Sequence, residues 1–273
     1  MFDGVHRGHG FLLGALRRAG AEAGLQSAVC VLDMGRGDQL TTMDERVRLL
    51  EASGVDAVHV FRFADVQPMT AESFMALLRK DYGIEMLLMG YDHRFGSDRL
   101  TDWSAYEACA ARVGMRLVRV AAAPGEAVSS SLIREALTVG DMVRANELLG
   151  YAYSLTGKVV RGNRIGHTIG FPTANIDPEA CKLVPKIGVY AGTISIERLA
   201  LSEERCVVNI GTNPTVGNEH VTIEAYMPDY KGGELYGEKL TLRLERRIRD
   251  ERKFSSLDEL RFQIEKDLDS IHN

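Results

Sequence analysis

The sequence predicts an α/β chain in two parts: a doubly wound parallel-sheet domain over residues 1–150, then a small antiparallel β-barrel over 151–273 with a C-terminal helix. Three observations carry this. In the first half, short apolar runs rich in strand formers alternate with helical segments, the pattern of a parallel sheet covered on both faces. Beyond Gly150 the apolar period changes to two, as in half-buried antiparallel strands. The length of 273 residues exceeds one typical domain and accommodates two.

The elements follow in order. Phe11, Leu12, Leu13 and Leu16 begin a helix after Gly10, and Ser27–Leu32 is an apolar strand. A helix over Glu45–Ala52 leads to a strand at Ala57–Phe61, and a helix over Ala71–Asp81 to a strand at Met86–Met89. The last pair is the helix Thr101–Val113 and the strand Arg116–Val120. Parallel sheets of this kind place ligands at the carboxyl ends of their strands. A loose stretch after Val120 precedes two more helices, Ser131–Thr138 and Asp141–Leu149. In the second half, strands are predicted at Tyr153–Val160, Gly188–Ile196, Arg205–Ile210 and Val221–Tyr226. Leu240, Leu242 and Leu244 alternate with Thr241, Arg243 and Glu245 in a further strand. Ser256-x-x-Glu259 is a capping box opening the final helix. Its stripe of Leu257, Leu260, Ile264, Leu268 and Ile271 is expected to pack on the barrel.

Composition narrows the function classes. The apolar fraction is 45% and the charged fraction 26%, ordinary for a globular chain. Net charge is −5, with 16 basic against 20 acidic residues up to position 150 and 17 against 18 after it. Neither half carries the cationic excess of a nucleic-acid binder. No apolar run reaches the length of a membrane span, and no cationic leader opens the sequence. Cys30, Cys109, Cys181 and Cys206 lack metal spacing and are expected as buried thiols in a reducing cytoplasm.

Three stretches carry chemistry. Gly157–Ile176 reads GKVVRGNRIGHTIGFPTANI, with glycines at 157, 162, 166 and 170. Glycines so placed let backbone amides approach phosphate oxygens, and Pro172 stiffens the presentation of Thr173 and Asn175. A hydroxyl beside an amide is an oxygen pair suited to Mg²⁺ carrying nucleotide phosphates; the glycines alone favour a plain β-turn with a capping threonine. His6 and His9 flank a glycine at a helix start, where imidazoles beside open backbone amides suit a triphosphate. Far downstream, Val128-Ser-Ser-Ser-Leu-Ile-Arg134 opens another helix, with hydroxyls and Arg134 placed for phosphates. Each also has a plain reading, as a polar loop and a serine cap.

Together these stretches resemble known families. GKVVRGNRIGHTIGFPTANI resembles the ATP- and Mg²⁺-binding signature of riboflavin kinases. The paired histidine and serine–arginine stretches resemble the nucleotidyltransferase superfamily, and Gly90-Tyr-Asp-His-Arg-Phe-Gly-Ser-Asp-Arg99 narrows this to FMN adenylyltransferases. With Leu149–Lys158, Gly188-Val-Tyr-Ala-Gly192, Asn209–Thr215, Leu235-Tyr-Gly237 and Arg249–Phe254, the likeness to bacterial bifunctional riboflavin kinase/FAD synthetases covers essentially the whole chain.

The resemblance implies a Rossmann-like nucleotidyltransferase domain that adenylylates FMN to FAD, and a kinase barrel that phosphorylates riboflavin. It implies Glu224 as the kinase base, and strand parity agrees, since Val221, Ile223 and Ala225 share the opposite face. It implies Thr173 and Asn175 as Mg²⁺ ligands, Gly157, Lys158, Gly162, Gly170 and Pro172 along the nucleotide, and Arg249 on the flavin side. His6, His9, Ser130 and Arg134 would align the triphosphate, with Asp92 as a flavin or adenosine contact. ATP, riboflavin and FMN are the implied small-molecule partners, with FMN and FAD as products and no nucleic acid or membrane; oligomeric state is open.

Three departures accompany it. His167 stands where many relatives carry arginine, and Leu32–Asp38 is shorter than the relatives' Phe-x-Pro-His-Pro loop and lacks its histidine. A strand and a glycine precede Phe2-Asp-Gly-Val-His6 in the family, so the sheet is expected without its first strand, from a misplaced start or trimming. The competing expectation is a single-activity riboflavin kinase whose amino-terminal domain is a degenerate flavin- or nucleotide-binding regulatory module.

Overall fold

A computed structural model describes residues 2–35, 37–162, 170–197, 203–215 and 218–272. The chain divides into two compact units, one of residues 1–36 and 43–128, the other of 37–42 and 129–273.

The first unit is α/β. Its elements are α1 (Arg7–Ala23), β1 (Ala28–Asp33), α2 (Met43–Ala52), β2 (Ala57–Arg62), α3 (Phe63–Val66), α4 (Ala71–Asp81), β3 (Met86–Gly90), α5 (Trp103–Arg112) and β4 (Arg116–Val120). Strand pairing is parallel throughout, β1 with β2 and β3 with β4. Among the described residues these are two separate ladders rather than one continuous sheet. Side chains connect them. Alternation along β1 sends Val29 and Val31 to a cluster with Leu13 of α1 and Leu50 of α2. Cys30 and Leu32 face the other way, onto Phe61, Met75, Leu78, Met89 and Tyr106. Helices thus cover both faces, as the apolar runs require. Thr70 caps α4 by accepting from the Ser73 amide, and left-handed Gly24 (φ 67°) ends α1.

The second unit opens with α6 (Ser130–Val139) and α7 (Met142–Leu149). Six strands follow: β5 (Tyr153–Val160), β6 (Thr173–Pro178), β7 (Gly188–Ile196), β8 (Glu203–Thr215), β9 (Asn218–Tyr226) and β10 (Lys239–Arg249). They close an antiparallel barrel in the order β10-β5-β6-β9-β8-β7. Leu155, Val159, Ala174, Ile176, Ile194, Val208, Ile210, Ile223, Ala225, Leu240, Leu242 and Leu244 are all buried by that closure. Helix α7 belongs with the barrel: the Asn146 side-chain amide donates to the carbonyls of Leu244 and Glu245, and its oxygen accepts from Tyr153 N.

The final helix α8 spans Leu257–His272. Its start uses a shifted capping box: Ser256 Oγ accepts from Glu259 N, while Glu259 Oε2 accepts from Ser255 N and Oγ. Leu268 and Ile271 pack on Val189, Ala191 and Val207, as the apolar stripe requires. Leu257 lies outside that contact at 58% exposure.

Candidate active sites

The glycine-rich stretch ends on a strand. Thr173 and Asn175 occupy β6, which pairs with β9 so that Thr173 lies opposite Tyr226 and Asn175 opposite Glu224. Ala174 and Ile176 point into the barrel, as do Ile223 and Ala225. Period-two alternation therefore turns Thr173, Asn175 and Glu224 to the same outer face. The Thr173 hydroxyl donates to Glu224 Oε2 at 3.3 Å. Burial is the main cause that raises the Glu224 carboxyl above its ordinary value; the Thr173 hydrogen bond opposes this, and the nearby Glu251 charge reinforces it.

Glycines make room for this set. A Cβ on Gly162 would fall within the Asn175 carboxamide, and one on Gly157 would meet the Asp177 carbonyl across the β5–β6 ladder. Lys158 pairs with Asp177 in the same ladder and is exposed, as is Pro172. Gly170 has φ 89°, a left-handed conformation suited to glycine. Gly166 and His167 lie outside the described residues. The donors at hand are a hydroxyl, a carboxamide and one carboxylate, which fits a hard cation carried chiefly by phosphate oxygens. Among the described residues no cluster of three His, Cys, Asp or Glu side chains could hold a metal ion by itself.

Arg249 is anchored. It ends β10 and grips Asp267 of α8 through Nε (3.0 Å) and Nη2 (2.8 Å), with the Phe254 ring 5.8 Å away. Two further residues share the outer face with no local signal to mark them. Asn209 of β8 lies opposite Glu224. A Cβ on Gly211 would collide with Glu251 Oε1 and come within 3.1 Å of Asn209 Nδ2. Both fall within stretches that carry the resemblance; the β8–β9 register sets Asn209 beside the glutamate, while Glu251, two residues past β10, reaches the same face over Gly211.

In the first unit, His6 is the N-cap of α1 and makes no side-chain cap hydrogen bond, and the first turn holds no acidic residue. Neither the cap side chain nor a first-turn carboxylate therefore offsets the opening amides and the positive end of the helix dipole. The His6 and His9 rings stack at 3.7 Å. A Cβ on Gly8 would lie 3.2 Å from the His6 ring and 3.3 Å from the Val128 carbonyl, so the glycine between the histidines is closely packed. Nδ1 of each histidine is buried without a hydrogen-bond partner among the described residues. Desolvation lowers His6 to about 4 and His9 to about 2, the latter helped by its neighbour. The loop before them is tight, with Val5 at φ 35° and Gly4 at φ 83°. It is fastened by a buried ion pair, Asp3 to Arg46 at 2.8 Å.

Asp92 sits exposed two residues past the carboxyl end of β3, where parallel sheets bind ligands. Ser130 begins α6 behind its cap Ser129, which accepts from Leu132 N. Arg134, one turn on, donates from Nε to the Asp38 carbonyl at 3.0 Å. The histidines belong to the first compact unit, and Ser130 and Arg134 to the second.

An α/β unit with phosphate-ready helix starts and a closed barrel bearing an outward Thr–Asn–Glu set define a two-part phosphate transferase. Comparisons with known proteins agree. Family models described as riboflavin kinase and FAD synthetase match residues 149–273 and 1–132. A protein of Escherichia coli named bifunctional riboflavin kinase/FMN adenylyltransferase is 36% identical over 281 residues, covering 97% of this chain and 88% of that protein. One of Bacillus subtilis with the same name is 32% identical over 281 residues, with the same shares, 97% and 88%. The chain belongs to the bifunctional riboflavin kinase/FMN adenylyltransferase family.

A solved structure titled macrolide-efflux protein, from Streptococcus pneumoniae, matches with a TM-score of 0.88 at 29% identity, over 100% of this chain and 92% of that one. Among the described residues of this chain, no helix is long and apolar enough to cross a membrane.

Proposed function

We propose that this chain makes both flavin cofactors, phosphorylating riboflavin to FMN with residues 151–273 and adenylylating FMN to FAD with residues 1–150. The observation that carries this reading is the shared outer face of Thr173, Asn175 and Glu224. A primary alcohol is a poor nucleophile until it loses its proton. Glu224 takes that proton as the riboflavin hydroxyl oxygen attacks the γ-phosphorus of ATP, and ADP departs with the bond that breaks. Its raised carboxyl strengthens it as an acceptor. Thr173 and Asn175 are assigned to Mg²⁺, which when bound neutralises phosphate charge. Gly157, Lys158, Gly162, Gly170 and Pro172 are assigned to the nucleotide, close backbone approach being open at the glycines. Arg249, held by Asp267, is assigned to the flavin side through the Arg249–Phe254 segment it fixes.

In the second reaction an FMN phosphate oxygen attacks the α-phosphorus of ATP and pyrophosphate leaves. The nucleophile is already anionic, so alignment and charge stabilisation suffice. His6, His9, Ser130 and Arg134 are assigned to the triphosphate and Asp92 to the flavin or adenosine. In the ligand-free chain both imidazoles are neutral at pH 7 and meet phosphate as hydrogen-bond donors; the ligand's own charge favours their protonation. A reducing cytoplasm is the proposed setting, supported by free thiols at Cys30 and Cys206 that burial pushes up to about 11 and about 12.

One incubation tests the whole reading. Riboflavin with Mg²⁺ and ATP is sampled over time, and the three flavins are separated. FMN should appear first and FAD follow it. FMN without FAD, even when FMN is supplied, would leave a single-activity riboflavin kinase with a regulatory amino-terminal module.

A further inference from the structure

Residues 37–42 lie between two stretches of the first unit in sequence, yet they belong to the compact unit that holds the barrel. They are bound there as a strap. Gln39 forms a parallel bridge with Lys182, its amide donating to the Cys181 carbonyl at 2.7 Å and its carbonyl accepting from Leu183 N at 2.9 Å. Leu40, Thr41 and Thr42 are buried at 1%, 2% and 3% exposure.

Lys182 is the anchor. It is itself 5% exposed, and its ammonium donates to the Leu40 carbonyl at 2.7 Å while lying 4.7 Å from the centre of the Tyr153 ring. A buried ammonium requires such partners, so strap and cation hold each other in place. Tyr153, 1% exposed, is fixed in turn by its hydroxyl on the Leu183 carbonyl at 2.6 Å. At the other end of the strap, the Asp38 carbonyl, with φ 55° at that residue, accepts from Arg134 Nε at 3.0 Å.

We propose that Lys182, a residue of the kinase half, is a positioning residue for adenylyl transfer: by holding the 37–42 strap it fixes the Asp38 carbonyl that orients the Arg134 guanidinium. The proposal rests on the assignment of Arg134 to the ATP phosphates. Aiming a guanidinium fork matters because its donors are planar and directional, and small misplacements at a reacting phosphate slow transfer severely.

The test uses the full chain and measures both reactions, FMN adenylylation from supplied FMN and riboflavin phosphorylation. Lys182→Met removes the donor and keeps the apolar stem. It should lower kcat for adenylylation about tenfold or more, with kinase turnover within about twofold. A purely structural role would instead depress both activities with the melting temperature. Lys182→Met added to Arg134→Ala should cost nothing further, because the positioned group is gone. Should Lys182→Met fail to fold, Gln39→Pro deletes the strap's hydrogen bond to Cys181 without touching a barrel strand and should give the same selective loss. Arg134→Ala with full adenylylation would overturn the phosphate assignment itself. Arg134→Ala inactive but Lys182→Met and Gln39→Pro fully active would overturn the positioning role alone.

Discussion

The Thr173 hydroxyl donates to Glu224 Oε2 at 3.3 Å across the β6–β9 ladder, tying the proposed metal-binding strand to the proposed base. Replacing Glu224 by Gln keeps the shape and removes the proton acceptor. FMN formation should fall by roughly 10²–10⁴-fold while riboflavin binding persists. Rapid-quench turnover beside flavin fluorescence titration checks this; near wild-type turnover would remove Glu224 from the role.

Asn175→Ala deletes one of the two neutral oxygen donors on β6. The kinase should slow by about two orders of magnitude and need more Mg²⁺ for half-maximal rate. FAD formation from supplied FMN should be untouched. Equal loss of both activities would show that the site has been misplaced.

Gly162→Ala probes the space above Asn175, where a methyl group would overlap the carboxamide. The side chain must swing away, so the kinase defect should match that of Asn175→Ala, with the melting temperature nearly unchanged. A fully active Gly162→Ala enzyme would mean that Asn175 is not used in the orientation seen.

His9→Ala removes a ring stacked on His6 at the start of α1. FAD synthesis should drop by about 10²-fold or more, since its interactions strengthen as charge moves onto the departing pyrophosphate. FMN production should continue. Unchanged FAD synthesis would reject the histidine assignment.

The same two histidines set a pH dependence of stability. Their folded values, about 4 and about 2, lie below the unfolded value of 6.5. As pH falls below 6.5 the unfolded chain takes up protons that the folded chain refuses, so stability declines through that window and is unaffected above it. Chemical denaturation of the ligand-free chain at pH 7.5, 6 and 5 should show the decline, and His9→Phe should flatten it. Identical slopes in the two proteins would contradict it.

Much of this was legible in the sequence because local patterns dictate local structure. Strict alternation at Leu240, Leu242 and Leu244 specifies β10, and the Ala71–Asp81 periodicity gives α4 at its observed ends. Strand β6 carries little strand signal: Pro172 precedes it, Pro178 ends it, and only Ala174 and Ile176 point inward. The stripe of α8 runs further than its contact: Leu268 and Ile271 pack on the barrel, whereas Leu257 satisfies the period and is 58% exposed. Thr173, Asn175 and Glu224 are marked by motif, whereas Asn209 joins them only through β8–β9 pairing and Glu251 only through the loop that follows β10. The strap of residues 37–42 had no signal at all, since its partners at 181–183 are about 140 positions away.

Closure of the barrel has one more consequence. With both edges of every strand consumed by neighbours, the proposed kinase chemistry is written on one face of β6 and β9 and the fold on the other. Tolerance to substitution along these strands should then alternate residue by residue: exchanges at 174, 176, 223 and 225 should register in melting curves, and those at 173, 175 and 224 in turnover. Such an arrangement lets specificity drift while the scaffold stays constant, so a saturation scan of these two short strands would separate evolvable positions from structural ones by parity alone.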